Sequence, residues 1–301
     1  MRNFLTFLLF CWAVFSSNFL VADDRPFITW FNPPRNQQPG VEHKGYHSKA
    51  MNREVGYNIY LPPGYAASAE RYRVIYWLHG RNGSESYDQF PVRYLDEGIR
   101  KGALPPMILV YANGGSQSFY SDSFDGKWPA ETTLIKELIP HIDATHRTIA
   151  ARDGRAIQGM SMGGFGALKL GFKYPGLFSS VIGFAGGYLD AGQIKEWRAA
   201  KAFATIFNND TNLLLANHPA TFARAHADKI RGRLAVRMYC GTADRLLENN
   251  RAMHRLLEEL KIPHEYVEFD GIGHNLRKLA ERVKGDGFAF AARHFKLPTP
   301  R

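Results

Sequence analysis

The sequence lacks the features that mark several classes of protein. Only two of its 301 residues are cysteines, Cys11 and Cys240, which excludes a disulfide-stapled scaffold. Lys and Arg exceed Asp and Glu by 38 to 28, giving a net charge of +10, but the basic residues form no dense run. No nucleic-acid-binding motif accompanies this charge. We therefore expect a solvated basic surface and no nucleic-acid partner.

The chain also lacks internal repeats at solenoid periods, metal-ligand clusters and cofactor-binding motifs. We therefore expect no repeat architecture, no bound metal and no cofactor. What is present is the composition of a globular protein, with 45% apolar and 22% charged residues. No feature of the sequence predicts an oligomeric state.

The amino terminus has the pattern of an export signal. Arg2 supplies a positive charge, Phe4–Phe15 is apolar at all but one position, small or polar residues follow at 16–18, and Ala22 precedes an acidic pair. An uncleaved membrane anchor is the alternative, but the apolar stretch is short for a span of about 20 residues. We predict a signal peptide over residues 1–22, a secreted or periplasmic location, and no stable membrane insertion after cleavage. Cys240 would then be a lone cysteine, without an internal disulfide.

Short apolar runs alternate with helical patterns along the rest of the chain. Two β-like runs, Gly45–Ser48 and Val55–Leu61, come first and predict an antiparallel pair at the edge of a sheet. Continuous apolar runs follow, which are typical of strands buried on both faces. These strand candidates are Val74–His79, Met107–Ala112, Ala156–Gln158, Val181–Phe184, Leu234–Cys240 and Glu265–Phe269.

Helical patterns lie between the strand candidates. The alternation predicts an α/β fold with a mostly parallel central sheet and helices on both faces. We expect residues 23–301 to form a single domain. Within it, residues 188–231 form a polar, helical insertion before the seventh strand, either a cap over a site or a surface excursion. The main helical patterns are Thr132–His146, Met162–Tyr174, Leu246–Leu260 and Asn275–Lys284.

Residues 159–163 read GMSMG, which matches the G-x-S-x-G nucleophile elbow. In this motif the chain turns sharply from a strand into a helix and exposes a strained serine above the sheet. Bulkier side chains in place of Gly159 or Gly163 would clash in that turn. The run before the motif is strand-like and the run after it is helical. We therefore interpret Ser161 as a nucleophile rather than a capping serine in a glycine-rich turn.

A nucleophilic serine needs a base, and the base needs an orienting acid. In α/β-hydrolases the acid and then the histidine follow the serine along the chain. Asp244 lies in the turn after Leu234–Cys240, at the sheet edge where the elbow is expected, and is favoured as the acid. Asp190 and Asp270 are rivals for this role. His274, in a glycine-flanked loop after the last strand, is the predicted base.

The tetrahedral intermediate of acyl transfer needs two preorganised N–H donors. We expect one to be the backbone N–H of Met162, directly after the nucleophile. The other is predicted to be the backbone N–H of Arg81, in the loop after Val74–His79. His79, at the start of that loop, is interpreted as a structural hydrogen-bonding residue and not as a second base.

Several sequence blocks resemble the esterase D-like family of α/β-hydrolases. This family includes feruloyl and acetylxylan esterases, S-formylglutathione hydrolases, enterochelin esterases and mycolyltransferases of the antigen 85 type. The similarity extends from about Val41 to Phe295. The matching blocks are YNIYLPPGY, VIYWLHG, SFYSD, ELIPHIDATHR, IQGMSMGGFGALKLGFKYPGLFSSVIGFAGG, GTAD and GIGHN.

The resemblance implies an α/β-hydrolase fold and a serine hydrolase activity on carboxylic esters. It places Ser161, Asp244 and His274 at the triad positions, with Arg81 and Met162 at the oxyanion positions. The insertion over residues 188–231 matches no subfamily.

Four aromatic residues are expected near the rim of the site, where they could stack on sugar rings or an aromatic acyl group. They are Phe119, Tyr120, Trp128 and Trp197. With the export signal, they favour a secreted carboxylesterase that releases acetyl or feruloyl groups from a small or polysaccharide-linked ester. An acyltransferase with a sugar hydroxyl as acceptor is a second interpretation. A non-catalytic carbohydrate-binding module on a hydrolase fold is a third, because fold alone does not fix function.

Overall fold

The computed structural model describes residues 29–35, 37–190, 192–193 and 200–295, and its centre is an eight-stranded sheet. In chain order the strands are β1 (Val41–Ser48), β2 (Arg53–Tyr60), β3 (Arg73–Leu78), β4 (Met107–Ala112), β5 (Arg155–Met160), β6 (Ser180–Phe184), β7 (Ala235–Gly241) and β8 (His264–Phe269). Across the sheet they follow the order β1-β2-β4-β3-β5-β6-β7-β8. The pairs β1–β2 and β2–β4 are antiparallel, and all other neighbours are parallel.

The sheet confirms the predicted strands; the central ones are buried as predicted, whereas the edge strand β8 is only partly buried. The first two strands form the expected antiparallel pair, with β1 at the edge. Every residue of β4 is buried, because the central strands are covered on both faces. Successive side chains of a strand point to opposite faces. Val74 and Tyr76 of β3 therefore pack in one apolar core, and Ile75 and Trp77 pack in the other.

Helices connect the parallel strands and supply most of the packing on the sheet. In chain order the helices are α1 (Val92–Arg100), α2 (Ala130–Thr132), α3 (Ile139–Thr145), α4 (Met162–Lys173), α5 (Ala200–Phe207), α6 (Thr211–Ala216), α7 (Pro219–Ile230), α8 (Leu247–Glu259), α9 (Leu276–Val283) and α10 (Asp286–His294). Three of the four predicted helical patterns correspond to single helices, namely α4, α8 and α9.

The fourth predicted pattern is a helix of mixed type. Between α2 and α3, residues Thr133–Leu138 are π-helical, and the N–H of Ile139 bonds the carbonyl of Leu134, five residues back. Pro140 has no N–H to donate, so it interrupts the regular α-helical bonding pattern at this point. A single wider turn of this kind accommodates such an interruption without breaking the helix.

Helix α1 has no counterpart among the predicted patterns. Val92 and Leu95 bury a narrow apolar stripe against the sheet. The exposed side carries i,i+4 ion pairs such as Glu97 with Lys101, which stabilise an isolated helix by only about 0.2–0.5 kcal/mol each. Burial in the folded protein, which a local pattern does not reveal, is therefore the main source of its stability.

The insertion predicted over residues 188–231 contains α5, α6 and α7 in its described part. Helix α7 packs along α4, and the His226 Nδ1–H donates to the Phe172 carbonyl at 2.7 Å. At the start of α7, His218 lies edge-on to Phe165 of α4, with ring centroids 5.5 Å apart. The insertion is therefore anchored to α4. Its role as a cap over a site stays a prediction.

Two further sequence predictions concern the amino terminus and the cysteines. The predicted signal peptide, residues 1–22, lies outside the described residues. Across the described ranges, the longest apolar helix is too short to cross a bilayer. Cys240 of β7 is fully buried, and burial raises the pKa of its thiol to about 12. It is therefore the small apolar core residue that the sequence predicts.

Candidate active site

The predicted elbow lies between β5 and α4, near the middle of the sheet. Ser161 has φ 59° and ψ −115°, a conformation that is strained for a residue with a Cβ. The glycines on either side are required by close backbone contacts. A Cβ on Gly163 would lie 2.0 Å from the Leu78 carbonyl oxygen, and one on Gly159 would lie 2.6 Å from the Gly163 backbone. The sharp turn lifts the Ser161 hydroxyl above the carboxyl ends of the parallel strands.

A continuous chain of hydrogen bonds joins the three residues predicted as a triad. The Ser161 Oγ lies 2.9 Å from the His274 Nε2. On the other side of the ring, the His274 Nδ1 lies 2.9 Å from Oδ2 and 3.1 Å from Oδ1 of Asp244. A carboxylate can only accept, so Nδ1 carries the hydrogen and Nε2 is left to accept the serine proton.

The structure distinguishes Asp244 from its two rivals by position. Asp244 is buried, and its Oδ1 also accepts the N–H of Leu246 at 2.8 Å, which fixes the carboxylate toward His274. Asp190 is exposed and accepts the N–H of Gln193. Asp270 bonds the hydroxyl of Thr242 at 3.0 Å. Asp244 is therefore the candidate acid that the structure brings to the imidazole.

Met162, a predicted oxyanion donor, is the first residue of α4 and is buried. The first N–H groups of a helix have no partner within the helix, so that of Met162 can serve a bound oxyanion. The N–H of Gly187 donates to the Ser161 carbonyl at 2.9 Å and holds this turn against the loop after β6. The other predicted donor, Arg81, directly follows Gly80, where a Cβ would lie only 3.6 Å from the Ser161 Cβ. The loop of Arg81 thus runs beside the serine.

His79 holds this loop in place. Its Nδ1–H donates to the Gly80 carbonyl at 2.8 Å, and its Nε2 accepts the N–H of Gly114 at 3.2 Å. The bond from Gly114 requires a neutral ring, because an imidazolium has no acceptor nitrogen, and burial lowers the pKa of His79 to about 4. The predicted structural role of this histidine is confirmed.

Asp88 is a residue of the site that the sequence analysis does not identify. Its carboxylate accepts the backbone N–H of Gly80, next to Arg81 in the same loop, and burial raises its pKa. The backbone of Asp88 has φ 60°, so it lies in a left-handed turn rather than in a strand or helix. No recognised motif surrounds it, and only the folded loop reveals its contact with Gly80.

The prediction of an aromatic rim is wrong for the two residues of the SFYSD block. Phe119 and Tyr120 are 3% and 0% exposed. Phe119 packs edge-on against Phe165 of α4, and the Tyr120 hydroxyl donates to the His79 carbonyl at 3.1 Å. Their left-handed backbone, with φ of 52° and 51°, turns both rings into the core.

The other two predicted rim residues have different outcomes. Trp128 is half-buried and packs against the apolar core, with its backbone N–H bonded to the Ser123 hydroxyl at 2.9 Å. Trp197 lies outside the described residues. The rim prediction thus fails for the two residues of the SFYSD block and stays a prediction for Trp128 and Trp197.

A buried ion pair supports the loop that carries Tyr120. The Lys169 ammonium of α4 is fully buried and donates to the Tyr120 carbonyl at 2.8 Å and to the Ser121 hydroxyl at 2.7 Å. It also lies 2.8 Å from Glu131. Burial lowers the pKa of Lys169 to about 8. Burial raises the pKa of Glu131, but the neighbouring ammonium groups of Lys169 and Lys173 outweigh this effect. The pKa of Glu131 is therefore lowered to about 2.

A cleft of about 500 Å³ opens beside His274. The cleft is lined by the start of α9, by the loop after β3 and by the segment before β1 that contains Arg35 and Gln38, here called the lead-in segment. A second cleft, of about 410 Å³, is lined by residues such as Arg152 and Ser179 at the amino ends of β5 and β6, away from Ser161. In the described portion of the chain, no group of three or more His, Cys, Asp or Glu side chains is arranged to hold a metal ion.

Comparisons with known proteins agree with this architecture. The Esterase family model matches residues 48–280 of the chain. Esterase Rv1288 of Mycobacterium tuberculosis is 30% identical over 282 residues, covering 84% of this chain and 60% of that protein. An endo-1,4-beta-xylanase/feruloyl esterase of Xylanibacter ruminicola is 29% identical over 232 residues, covering 73% and 31%. The chain thus spans about 60% of the first relative's length and about a third of the second's.

The solved structure of a ferulic acid esterase superposes with a TM-score of 0.73 at 23% identity, covering 85% of this chain and 98% of that one. This similarity confirms the predicted α/β-hydrolase fold, with its mostly parallel sheet and flanking helices. The family match extends from the end of β1 into α9, and so includes the elbow, Asp244 and His274. The chain therefore belongs to the Esterase family, as its sequence blocks predict.

Proposed function

We propose that the chain is a serine carboxylesterase with Ser161 as nucleophile, His274 as base and Asp244 as orienting acid. The observation that carries this proposal is the unbroken hydrogen-bond chain from Asp244 through His274 to Ser161. As Ser161 attacks the ester carbonyl, His274 takes its proton, and Asp244 stabilises the resulting imidazolium. His274 then gives the proton to the departing alcohol.

The negative charge of the tetrahedral intermediate needs stabilisation during this step. The backbone N–H groups of Met162 and Arg81 would donate to it, because the start of α4 and the Gly80 loop both adjoin Ser161. His274 next activates a water molecule, which hydrolyses the acyl-enzyme and regenerates the serine.

For the substrate, we propose short or aromatic acyl esters linked to carbohydrate, such as acetyl or feruloyl esters, in an exported protein. Relatives named as a xylanase with a feruloyl esterase and as an acetyl esterase support this choice. The burial of Phe119 and Tyr120 removes the aromatic rim as an argument for it. The proposal of export rests on the apolar segment Phe4–Phe15 and the residues around it.

A fluorophosphonate probe tests the chemistry. It should label the native protein on Ser161 and leave the Ser161→Ala variant unlabelled, with the peptide located by mass spectrometry. Unlabelled native protein, or equal labelling of the variant, would overturn the assignment.

The substrate class is tested by comparing methyl ferulate, acetylated xylan and emulsified triolein. We expect turnover of one or both of the first two. A clear preference for triolein would contradict the proposal. Acetyl transfer to an added sugar, in place of hydrolysis, would instead identify an acyltransferase.

A further inference from the structure

The cleft beside His274 contains two arginines that the proposed mechanism does not use. Arg277, in the first turn of α9, and Arg35, in the lead-in segment, are both exposed on its wall. His274 contributes to the same wall. Since His274 would give its proton to the departing alcohol, the alcohol part of an ester leaves toward a space that these guanidinium groups border.

Aromatic rings orient both guanidinium groups. The Arg277 guanidinium carbon lies 5.2 Å from the centroid of the Phe90 ring. Arg35 lies 5.9 Å from the Tyr87 ring centroid and donates to the Tyr87 hydroxyl at 3.1 Å. Such contacts restrict a long side chain while leaving most of its N–H donors available to a ligand.

The segment that carries Arg35 is fixed by contacts on both sides. Asn32 donates through its backbone N–H and its side-chain amide to the buried Glu85, at 2.7 and 2.9 Å. The N–H of Gln38 reaches the Gln89 side chain at 3.3 Å. Because Glu85 and Gln89 belong to the loop after β3, the position of Arg35 at the cleft is set by the fold.

The charge balance of the cleft is positive. Within the described ranges, neither Arg35 nor Arg277 has a carboxylate at ion-pair distance. One carboxyl group, that of Asp88, lines the cleft, and it is already bonded to the Gly80 N–H. A planar guanidinium group can donate two parallel hydrogen bonds to two oxygens of the same carboxylate or phosphate.

We infer that this cleft is a subsite for an oxyanion on the alcohol part of the ester, with Arg35 and Arg277 as its specificity-determining residues. The inference rests on the proposed esterase function and adds a substrate class to it. An ester whose alcohol carries a carboxylate, as in an acidic sugar, or a phosphate would be turned over more efficiently than a neutral counterpart.

Three acetyl esters test the inference: the neutral 4-acetoxybenzamide, 4-acetoxybenzoate and 4-acetoxyphenyl phosphate, each with the acetyl group as its one carboxylic ester. The measured quantity is kcat/KM for each anionic ester divided by that for the neutral ester. Comparing this ratio between protein variants cancels the intrinsic reactivity of the leaving groups. The carboxylate and phosphate esters show which oxyanion the cleft accepts better.

Arg277→Gln and Arg35→Gln should each lower the ratio about fivefold, as expected for loss of a partly exposed charge contact. The loss should appear mainly in KM, and the native ratio should fall as salt rises. Arg224→Gln is the matched control, since it removes one positive charge from α7, where Arg224 pairs with Glu259, and does not line the cleft. It should leave the ratio unchanged.

Two results would overturn the inference and separate it from the proposed function. If the native protein hydrolyses the neutral ester but the ratio is the same in all variants, the subsite is refuted and the esterase function stands. If the native protein hydrolyses none of the three esters and is not labelled by fluorophosphonate, both are refuted.

Discussion

The His274 Nε2 lies 2.9 Å from the Ser161 Oγ although 113 positions separate the two residues in the chain. They meet because the elbow follows β5 and the histidine loop follows β8, and the carboxyl ends of parallel strands lie at one edge of the sheet. Asp244 follows β7, the direct neighbour of β8. The parallel topology therefore brings three distant loops to one place.

This arrangement predicts a large effect of removing the charge from Asp244. Asp244→Asn should lower kcat by about 10⁴, by analogy with the serine-protease triad, because the amide favours the wrong tautomer of His274. The matched change, Asp190→Asn, alters an exposed carboxylate and should leave kcat within about twofold of the native value. Steady-state hydrolysis of an aryl acetate gives both numbers. Greater loss in the Asp190 variant would move the orienting acid to the loop after β6.

The elbow glycines predict a steric effect on folding. In Gly163→Ala, the new methyl group would lie 2.0 Å from the Leu78 carbonyl oxygen, a backbone atom that cannot rotate away. We expect a loss of about 3 kcal/mol in the free energy of unfolding, or no folded protein at all. Gly176→Ala is the control, because no atom lies within 4 Å of the position its Cβ would take. Urea unfolding curves compare the two, and equal stability would contradict the close contact.

Local sequence patterns predicted the sheet and the turn chemistry well, for a physical reason. The strand runs are continuous and apolar because the strands are buried on both faces, as in β4. The GMSMG turn leaves a sequence signature because only glycine fits beside the Leu78 and Gly163 backbone. Asp244 and His274 were recognisable because each follows a predicted strand.

Features that depend on distant packing could not be predicted in this way. The position of Phe119 after a strand is compatible with a rim or a core, and only contact with Phe165 of α4 decides between them. Arg35 lies in a segment without periodic pattern, and its place at the cleft depends on Asn32 meeting Glu85, 53 residues away. Such relationships have no local signal in one sequence.

Buried neutral histidines predict acid sensitivity of the fold. Burial lowers the pKa of His79 to about 4, below the ordinary value of 6.5, so the unfolded chain binds a proton more readily than the folded one. Above about pH 6.5 the imidazole is neutral in both states, and the fold keeps its full stability. As the pH falls from 6.5 toward 4, protonation of the unfolded chain lowers the free energy of unfolding. Between pH 7 and 5 this residue should account for roughly 1–2 kcal/mol of lost unfolding free energy.

The comparison of His79→Gln with native protein at pH 7 and 5 tests this effect. Gln offers an amide donor group and a carbonyl acceptor without titrating, so its variant should lose less stability on acidification than the native protein does. His47→Gln, at an exposed position of β1, should keep the full native loss. An identical pH dependence in the His79 variant would show that this imidazole does not titrate in the expected range.

The buried Lys169 predicts a coupling between the core and the loop of Tyr120. Lys169→Met removes the donor to the Tyr120 carbonyl and Ser121 hydroxyl and leaves Glu131 with Lys173 as its remaining cation. We expect a loss of about 3 kcal/mol in the free energy of unfolding, since the partly exposed Lys173 compensates the buried Glu131 charge only in part. Lys173→Met is the control; its side chain is 31% exposed, so the loss should be about 1 kcal/mol. Adding Glu131→Gln to Lys169→Met should restore part of the stability, measured by urea unfolding, because the buried carboxylate charge is then removed. If the double variant is instead less stable than Lys169→Met, the loss comes from missing hydrogen bonds and not from the buried charge.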